Sequence, residues 1–429
     1  MSVYTKDLGP YYRGAVHPQE VLSPLQPAPH LKRETTTLEG GKVLFEKDIP
    51  IKVRDGTTLY ADLYRPTSEE VKVPAIVLFA PFGKHGAVPK ERFQNMDVDF
   101  TKLKSEDHAV ASIEHPLLDE YWKSKIVNWG DIQVPAFSVT GWSSLGLHLR
   151  GTIEAWKGFS SQDKYLLIHG GREWSEFYKQ ENIEKQLRFW ERYLKNVAND
   201  VDKWPKVQFD VRTSATESFR RALSDFPPAA THTRYLLNSG SELSSHTQGA
   251  QNPEFVTFQA HQHDSVVFFD YVFTRRTEIS GFSSVKLYVQ AMHFPDVDLF
   301  VALQKLDNQS REVRFYHSTQ QLEASATFGW LRASHRELDE AKSTPERPVH
   351  LHRKRLWLQP RDVVEVNIEL WPSSTMWNSG ERLRLAIKGT TFTNPNNFTQ
   401  FKGPSHSFGE VRVWYGGQYD SNLLVPVIP

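Results

Sequence analysis

Two adjacent serines, Ser143 and Ser144, lie between an apolar run and a helical pattern, in the stretch VPAFSVTGWSSLGLHLRGTIEAW. A sharp strand-to-helix turn is where many hydrolases hold a serine nucleophile, and it requires very small residues two places before and two places after that serine. Neither serine fits, because Leu145 follows Ser143 and Trp142 precedes Ser144 at those distances. The spacing therefore favours polar residues that cap the following helix over a nucleophile.

Titratable side chains follow this turn and the next apolar run, KYLLIHGG. His148 and His169 would both face the crevice at the carboxyl ends of parallel strands, where open α/β sheets bind ligands. Imidazole can transfer protons near neutral pH, and Glu173 could replace a lost base beside Trp174, whose indole would line a pocket. The alternative is structural, with locally satisfied histidines, an acid at a helix N-terminus and a packing tryptophan.

Two further groups of polar residues are candidates for ligand binding. Lys84 and His85 could bind an anionic substrate, although a solvated loop is the alternative because long charged side chains are mostly exposed. His261 and His263 alternate along a β-type run, which would place both on one face of a strand, as a metal pair requires. A metal site normally needs a third ligand, and none is evident nearby, so we expect no metal and no cofactor.

The apolar pattern predicts the elements that would position these residues. Alternation on either side of Asp55-Gly56 predicts a two-residue β-hairpin, and the apolar run Val73–Phe82 predicts a strand buried on both faces of a parallel sheet. Two strand-then-helix units follow, namely IQVPAFSVTG with LGLHLRGTIEAWKGF, and KYLLIHGG with EKQLRFWERYLKNV. Such alternation predicts a parallel sheet with covering helices. A further helix is predicted around HPLLDEYWKSKIVNW.

The composition and the apolar pattern of the chain change twice, which predicts three regions. Residues 1–42 are rich in proline, threonine and charge and predict an extended N-terminal arm. Residues 43–204 carry the strand-then-helix units and predict a reduced α/β domain. Residues 205–429 consist of short β-type runs separated by turns and predict a β-sandwich. The fold class is therefore α/β plus all-β.

The charge balance and the apolar content of the chain disfavour some classes of binding partner. The 429 residues include 51 basic and 51 acidic side chains, so no long-range field attracts nucleic acid or an anionic membrane. No apolar run approaches the roughly 20 residues of a spanning helix, and the start of the chain lacks the apolar stretch of a secretory signal. We expect a cytoplasmic protein that acts on a small-molecule substrate. The absence of cysteine excludes disulfides and a thiolate nucleophile.

Several strings together resemble the cocaine esterase and X-Pro dipeptidyl-peptidase family of serine hydrolases. They are VRDGTTLYADLYRP, APFGKHG, LRFWERYLK with WPKV, FPDVDLFVALQKLD, GWLRASHREL and GGQYDSNLLVPVIP, in that order. The resemblance implies an α/β-hydrolase domain followed by a jelly-roll domain. It also implies a truncated sheet, because the family's central strands and most of its helical cap have no counterpart here.

The resemblance implies a catalytic mechanism whose parts can be compared with this sequence. In the family a serine attacks an ester or amide carbonyl, a histidine relays the proton, a carboxylate orients the histidine, and donors hold the oxyanion. The family's acid follows a GW pair, where this chain has Ser143; the relay histidine usually lies in the loop that here holds Glu173; and Phe82 replaces an oxyanion-donating tyrosine. The sequence therefore has no recognisable triad. Losing even one triad member costs about 10⁴ to 10⁶ in rate, so these departures argue against covalent serine hydrolysis.

These observations predict a protein that binds a small, fairly apolar molecule between its two domains. We expect it to catalyse a non-covalent step, such as isomerisation, cyclisation or elimination, with His169, His148 and Glu173 as acid–base residues. The expected binding residues are Phe82, Lys84, His85, Trp142, Ser143, Ser144 and Trp174. One alternative is a catalytically inactive binding or scaffold protein, and another is a residual ester or X-Pro peptide hydrolase.

A sheet interrupted in its middle would also expose unpaired backbone. Either the strands on the hairpin side pair directly with PAFSVTG, or another subunit fills the gap and the protein is a homo-oligomer.

Overall fold

The computed structural model describes residues 34–52, 56, 58–68, 114–245, 250–317, 321–359, 361–392 and 408–429. The chain forms two compact units, Met1–Asp99 and Phe100–Pro429, and its secondary structure is mostly β with few helices. None of the helices within the described ranges combines the length and the apolar character needed to cross a bilayer. The predicted strand Val73–Phe82 lies outside the described residues, as do Lys84 and His85.

The first unit contains a three-stranded antiparallel sheet of β1 (Glu34–Leu38), β2 (Val43–Lys52) and β3 (Thr58–Pro66). β2 and β3 form the predicted hairpin, and Lys52–Thr58 is the last pair within the described residues, so the expected two-residue turn lies partly outside them. β1 pairs with β2 although it lies inside the predicted N-terminal arm. Part of that arm is therefore a sheet strand.

The second unit begins with helices and a short parallel sheet, here called the parallel layer. Its elements are α1 (Glu120–Lys123), β4 (Ala136–Gly141), α2 (Leu149–Gly158), β5 (Lys164–His169), α3 (Glu173–Phe177), α4 (Gln180–Leu194), β6 (Val207–Arg212) and β7 (Ser218–Leu223). β4 pairs in parallel with β5, β5 pairs in parallel with β6, and β7 runs antiparallel to β6. The predicted alternation of parallel strands and helices is confirmed for the two units that contain β4 and β5.

One expectation for this region is wrong. The helix predicted around HPLLDEYWKSKIVNW is reduced to the single turn of α1, which begins only at Glu120 because the extended residue Asp119 caps it there. Trp122 Nε1 donates to the carbonyl of His115 at 2.6 Å, and Asp119 accepts from the N–H groups that open α1. The strand β6 lies beyond residue 205 and pairs in parallel with β5, so the domain boundary placed there stays a prediction.

The remaining strands form the β domain. They are β8 (Thr231–Asn238), β9 (Glu242–Ser244), β10 (Glu254–Gln259), β11 (Val267–Val272), β12 (Thr277–Ala291), β13 (Asp298–Leu306), β14 (Glu312–Val313), β15 (Phe315–His317), β16 (Gln321–Ala324), β17 (Thr327–Arg332), β18 (Val363–Trp377), β19 (Arg382–Lys388), β20 (Glu410–Tyr415) and β21 (Asn422–Ile428). Nearly all of their pairings are antiparallel; the exceptions include Thr375 of β18, which pairs in parallel with Arg212 of β6. This pair joins the β domain to the parallel layer in one continuous sheet.

Helices cover both faces of the parallel layer. Leu166 and Ile168 of β5 belong to the main core, together with Leu149, Ile153 and Trp156 of α2. Tyr165 of β5 points the other way and packs with Phe189 of α4 in a second, smaller cluster. Because alternate side chains of a strand point to opposite faces, α2 and α4 cover opposite sides of the sheet.

Candidate functional site

The carboxyl ends of β4 and β5 bring the predicted site residues together. Gly141 and His169 form the last pair of these two strands, so the serine turn and the loop after His169 leave the sheet side by side. The structure thus groups Ser143, Ser144 and Glu173 with His169. His148 instead lies at the N-terminal end of α2 and is exposed, and the side chain of Trp174 lies outside the described part of the chain.

The two serine hydroxyls are buried and already donate hydrogen bonds. Ser143 Oγ donates to the carbonyl of Gly171 at 3.2 Å, and Ser144 Oγ donates to the carboxylate of Glu173. The two serines are only 1% and 0% exposed. A nucleophilic serine needs access to its substrate and a base that removes its proton, and a backbone carbonyl is no such base.

The helix-capping role predicted for the serine side chains is wrong. Their hydroxyls bond to the loop after β5, whereas the backbone carbonyl of Ser144 accepts from the N–H groups of His148 and Leu149. The N-cap residue of α2 is His148, and its side chain makes no capping hydrogen bond.

His169 is buried, with 3% of its surface exposed. Burial lowers the pKa of this imidazole, while the nearby carboxylates of Glu176, Asp210 and Glu173 oppose the shift. Its Nδ1 atom has no hydrogen-bond partner among the described residues. The imidazole is therefore neutral at physiological pH and has a free ring nitrogen.

Gly141 allows the imidazole and the serine turn to approach each other. A Cβ atom at this position would lie 2.7 Å from His169 Cε1, 3.1 Å from His169 Nδ1 and 3.0 Å from Ser143 Oγ. The histidine and the serine hydroxyl therefore converge on the same side of Gly141, which must lack a side chain.

Asp210 of β6 holds the loop and the turn in place. Its carboxylate accepts from the N–H of Gly170 at 3.0 Å and forms a two-point ion pair with Arg220, while its carbonyl accepts from Trp142 Nε1 at 2.6 Å. Neither Asp210 nor Glu176 was predicted as a site residue. A charged residue inside the apolar run VQFDVR is the sequence signal that could have identified Asp210.

Arg212 is a buried cation two residues along the same strand. Its guanidinium donates to the carbonyls of Ala326 and Ser374 and to the hydroxyl of Ser373, and it lies 4.4 Å from the ring centroid of Phe315. Burial lowers its pKa to about 9, so the group remains charged at neutral pH. Every hydrogen bond it makes within the described residues goes to a neutral oxygen. Through these hydrogen bonds, Arg212 links the parallel layer to the β domain.

An exposed apolar rim borders the serine turn where the parallel layer meets the β domain. The indoles of Trp330 (β17) and Trp371 (β18) lie with centroids 5.5 Å apart, and Trp330 is 40% exposed. A Cβ atom on Gly146 would lie 3.8 Å from Trp330, and the next residue, Leu147, is 42% exposed. Beside them, Arg150 and Glu369 form an ion pair at 2.9 Å.

A separate groove lies in the β domain. It has a volume of about 980 Å³ between β10 and β11 and is lined by residues that include Phe255, Phe268 and Arg384. None of its lining residues belongs to the serine turn.

The proposed metal pair does not lie on a strand. His261 and His263 both fall in the turn between β10 and β11, so the expected shared strand face is wrong. Across the part of the chain that the structure describes, no cluster of three or more histidine, aspartate or glutamate side chains is arranged to hold a metal ion.

Comparisons with known proteins identify the scaffold. Residues 199–424, more than half of the chain, match the family model of the X-Pro dipeptidyl-peptidase C-terminal non-catalytic domain. Two crystal structures of a CocE/NonD family hydrolase from Staphylococcus aureus share 34% identity with this chain, with TM-scores of 0.71 and 0.72. The matches cover 75% of this chain and 59% of that hydrolase, so the chain spans less than two thirds of its length.

More distant structures share the fold alone. An aminopeptidase from a marine sediment archaeon, Thaumarchaeota archaeon, has 14% identity and a TM-score of 0.55, covering 76% of this chain and 61% of its own. An alpha-amino acid ester hydrolase has 15% identity and a TM-score of 0.56, covering 74% of this chain and 60% of its own. No curated protein matches the sequence. The match over residues 199–424, with the fold shared with the S. aureus hydrolase, shows that this chain belongs to the cocaine esterase and X-Pro dipeptidyl-peptidase family.

Proposed function

We propose that this chain does not form an acyl-enzyme on its turn serines and instead binds a small, fairly apolar molecule. The observation that carries the proposal is the state of the two hydroxyls. Both are buried, and they donate to the Gly171 carbonyl and the Glu173 carboxylate rather than to an imidazole. Covalent hydrolysis would require an exposed hydroxyl whose proton passes to a histidine.

The finer fold assignment that accompanies this proposal is a truncated α/β-hydrolase sheet followed by a jelly roll. The parallel order β6, β5, β4 with helices on both faces supports the first part. The long antiparallel strands from β8 to β21 support the second.

The exposed rim formed by Trp330, Trp371 and Leu147 supports binding of an apolar ligand. Indole rings supply a large apolar surface and one hydrogen-bond donor each, at low cost in side-chain entropy. The rim lies where the parallel layer meets the β domain, which agrees with a ligand held between the two parts of the second unit.

A second candidate function is a non-covalent acid–base step such as isomerisation, cyclisation or elimination. The Nδ1 atom of His169 favours it, because an imidazole nitrogen with no hydrogen-bond partner among the described residues can accept a proton. Since the ring is as buried as the serine hydroxyls, this step requires the serine turn to open to the ligand. General acid–base catalysis typically contributes about 10² to 10⁴ in rate. His148 and Glu173 are the other predicted acid–base residues, although Glu173 is already bonded to Ser144.

A fluorophosphonate probe tests the main proposal. We expect no adduct on the full-length chain, since neither hydroxyl is exposed and neither donates to an imidazole. A covalent adduct that disappears in Ser143→Ala or Ser144→Ala, together with ester or X-Pro peptide turnover that disappears in the same variant, would restore the residual-hydrolase alternative.

Incubation with a metabolite extract, followed by mass spectrometry, tests ligand binding. We expect a retained small molecule that is lost in Trp330→Ala but kept in Trp357→Ala, a control tryptophan that is 44% exposed. An isomer of equal mass whose formation stops in His169→Asn would support the acid–base step. Retention without any change in mass, in the wild type and in the triple variant of His148, His169 and Glu173, would support a binding or scaffold protein.

A further inference from the structure

Three aromatic side chains, here called the aromatic row, cross the outer face of the β domain. Trp414 of β20 lies directly opposite Tyr288 of β12 on one side and Phe255 of β10 on the other. Residues paired in this way point to the same face of a sheet. Phe255 is 41% exposed, and the other two rings are half-buried. Because Val413 and Tyr415, the neighbours of Trp414 in β20, are buried, the aromatic row lies on the solvent side of the sheet.

The rings of the aromatic row hold one another in fixed positions. The ring centroids of Phe255 and Trp414 lie 4.7 Å apart. Tyr419, in the loop after β20, packs against Trp414 at 5.4 Å and against Tyr288 at 5.3 Å. Gln290 accepts a hydrogen bond from Trp414 Nε1 at 3.1 Å. Rings that are already packed lose little side-chain entropy when a ligand binds to them.

Polar side chains flank the aromatic row on both sides. On one side, Tyr288 Oη lies 2.9 Å from a carboxylate oxygen of Glu365 and 3.2 Å from one of Asp420. On the other side, Arg412 donates to Glu410 at 2.9 Å. The side chains of Asp420 and Glu410 are 43% and 32% exposed. Since a carboxylate can accept several hydrogen bonds, these groups remain able to accept from a ligand.

The aromatic row continues into the groove between β10 and β11. Phe255 belongs to both, and the groove is also lined by Phe268 and Arg384. The guanidinium of Arg384 lies 4.5 Å from the ring centroid of Phe268 and pairs with Asp270 through hydrogen bonds of 2.7 and 2.8 Å. The volume of about 980 Å³ lies at the upper end of the range of small-molecule sites. The aromatic row and this groove are here called the β10 site.

The charges around the β10 site are balanced, which indicates a neutral ligand. Three ion pairs account for most of them, namely Arg384 with Asp270, Arg412 with Glu410, and Lys286 with Asp420. Single-stranded nucleic acid also stacks on aromatic rings, but it needs an excess of cations along its backbone. The described residues of the β10 site supply no such excess. The carboxylates and guanidinium groups beside the rings in turn require a ligand that carries many hydrogen-bonding groups.

We propose that the β10 site binds a neutral saccharide chain. The C–H groups on the face of a sugar ring are apolar and slightly positive, so they pack on the negative faces of aromatic rings. The hydroxyls at the edge of the same sugar ring both donate and accept hydrogen bonds. Carboxylates and guanidinium groups lie on either side of the aromatic row and in the groove, where they can bind these hydroxyls.

Electrophoresis of the full-length chain in native gels that contain a soluble polysaccharide tests the proposal. The probes are a linear β-glucan, a xylan, a mannan and a galactan. We expect at least one probe to retard the wild type. Phe255→Leu should raise the dissociation constant at least about tenfold, because leucine keeps an apolar side chain but has no aromatic face. Phe255→Tyr keeps the ring and should keep the retardation.

The matched control is Phe177→Leu, which makes the same change at a phenylalanine that is 48% exposed on α3. This variant should migrate as the wild type does. Raising the salt concentration from about 50 to about 200 mM should leave the dissociation constant unchanged, whereas a charged polymer held by cations would bind far more weakly.

Three results would overturn the proposal. The first is that none of the four polysaccharides retards the wild type. The second is equal retardation of the wild type and Phe255→Leu, with circular dichroism showing that both are folded. The third is retention of the chain by an immobilised single-stranded oligonucleotide while every polysaccharide fails to retard it, which would identify a nucleic-acid partner instead.

Discussion

The strongest pH dependence should come from a group of three histidines, of which His335 is buried. Nδ1 of His335 lies 3.0 Å from Nδ1 of His352, so one ring must donate a proton and the other must accept it. The contact cannot persist when both rings are fully protonated. The ring of His350 is tilted by 52° relative to that of His352, and the two centroids lie 5.8 Å apart.

Their surroundings disfavour protonation. Burial is the main cause that lowers the pKa of His335 to about 4, aided by His352, Arg332 and Arg355, while Asp298 opposes the shift. Burial likewise lowers the pKa of His350 to about 4, aided by His352 and Arg150, while a backbone hydrogen bond with Asn367 opposes the shift. Burial followed by Arg150 lowers the pKa of His352 as well.

Because the pKa values of these histidines are lowered in the folded state, acidification should destabilise the protein. The ordinary histidine pKa of 6.5 applies to the unfolded chain, so the unfolded state binds more protons once the pH falls below that value. The associated stability is fully present above pH 6.5 and is lost as the pH falls toward 4. Between about pH 7.5 and pH 5, His335 alone should cost about 2 kcal/mol of unfolding free energy. His350 is half-buried, so solvent screening makes its contribution smaller.

Urea unfolding followed by tryptophan fluorescence at several pH values measures this loss. Since carboxylates also contribute to acid unfolding, the informative quantity is the difference between the wild type and His335→Gln, whose pH dependence should be shallower. His148→Gln, at an exposed position, is the control and should keep the wild-type slope. Equal slopes in His335→Gln and the wild type, or a wild type that becomes more stable on acidification, would refute the reasoning.

Three further changes should alter stability in stated directions, measured by chemical or thermal unfolding. Gly141→Ala should destabilise by about 1–3 kcal/mol, because the new Cβ would overlap with His169; an unchanged midpoint would contradict the close approach. Gly151→Ala should instead stabilise by up to about 1 kcal/mol, because this helical position opens into free space; a loss of stability would show hidden crowding. Arg212→Ala should cost about 3–5 kcal/mol, because it leaves the carbonyls of Ala326 and Ser374 without their donor and opens a cavity; a loss below about 1 kcal/mol would refute its linking role.

Segments with a strong apolar pattern were predictable from the sequence, and ambiguous ones were not. The helices α2 and α4 show a helical period over 10 and 15 residues, β4 and β5 are apolar runs of 6 residues each, and all four appear in the structure. The pattern around α1 has a similar apolar content, but the helix begins only at Glu120, where Asp119 caps it, and ends at Lys123. Likewise, the alternation of His261 and His263 resembles a strand, although the backbone turns there.

The sequence by itself determined the family, the order of parallel strands and helices in the region of β4 and β5, and the absence of a nucleophile motif at Ser143 and Ser144. Only the tertiary structure decided what those serines contact and which unpredicted residues support them. Ser143 meets Gly171, 28 residues away, and Arg212 meets Ser373, 161 residues away. The reason is physical: periodicity and turn chemistry act over a few residues, whereas the partners of a buried polar group are set by which strands the fold places side by side.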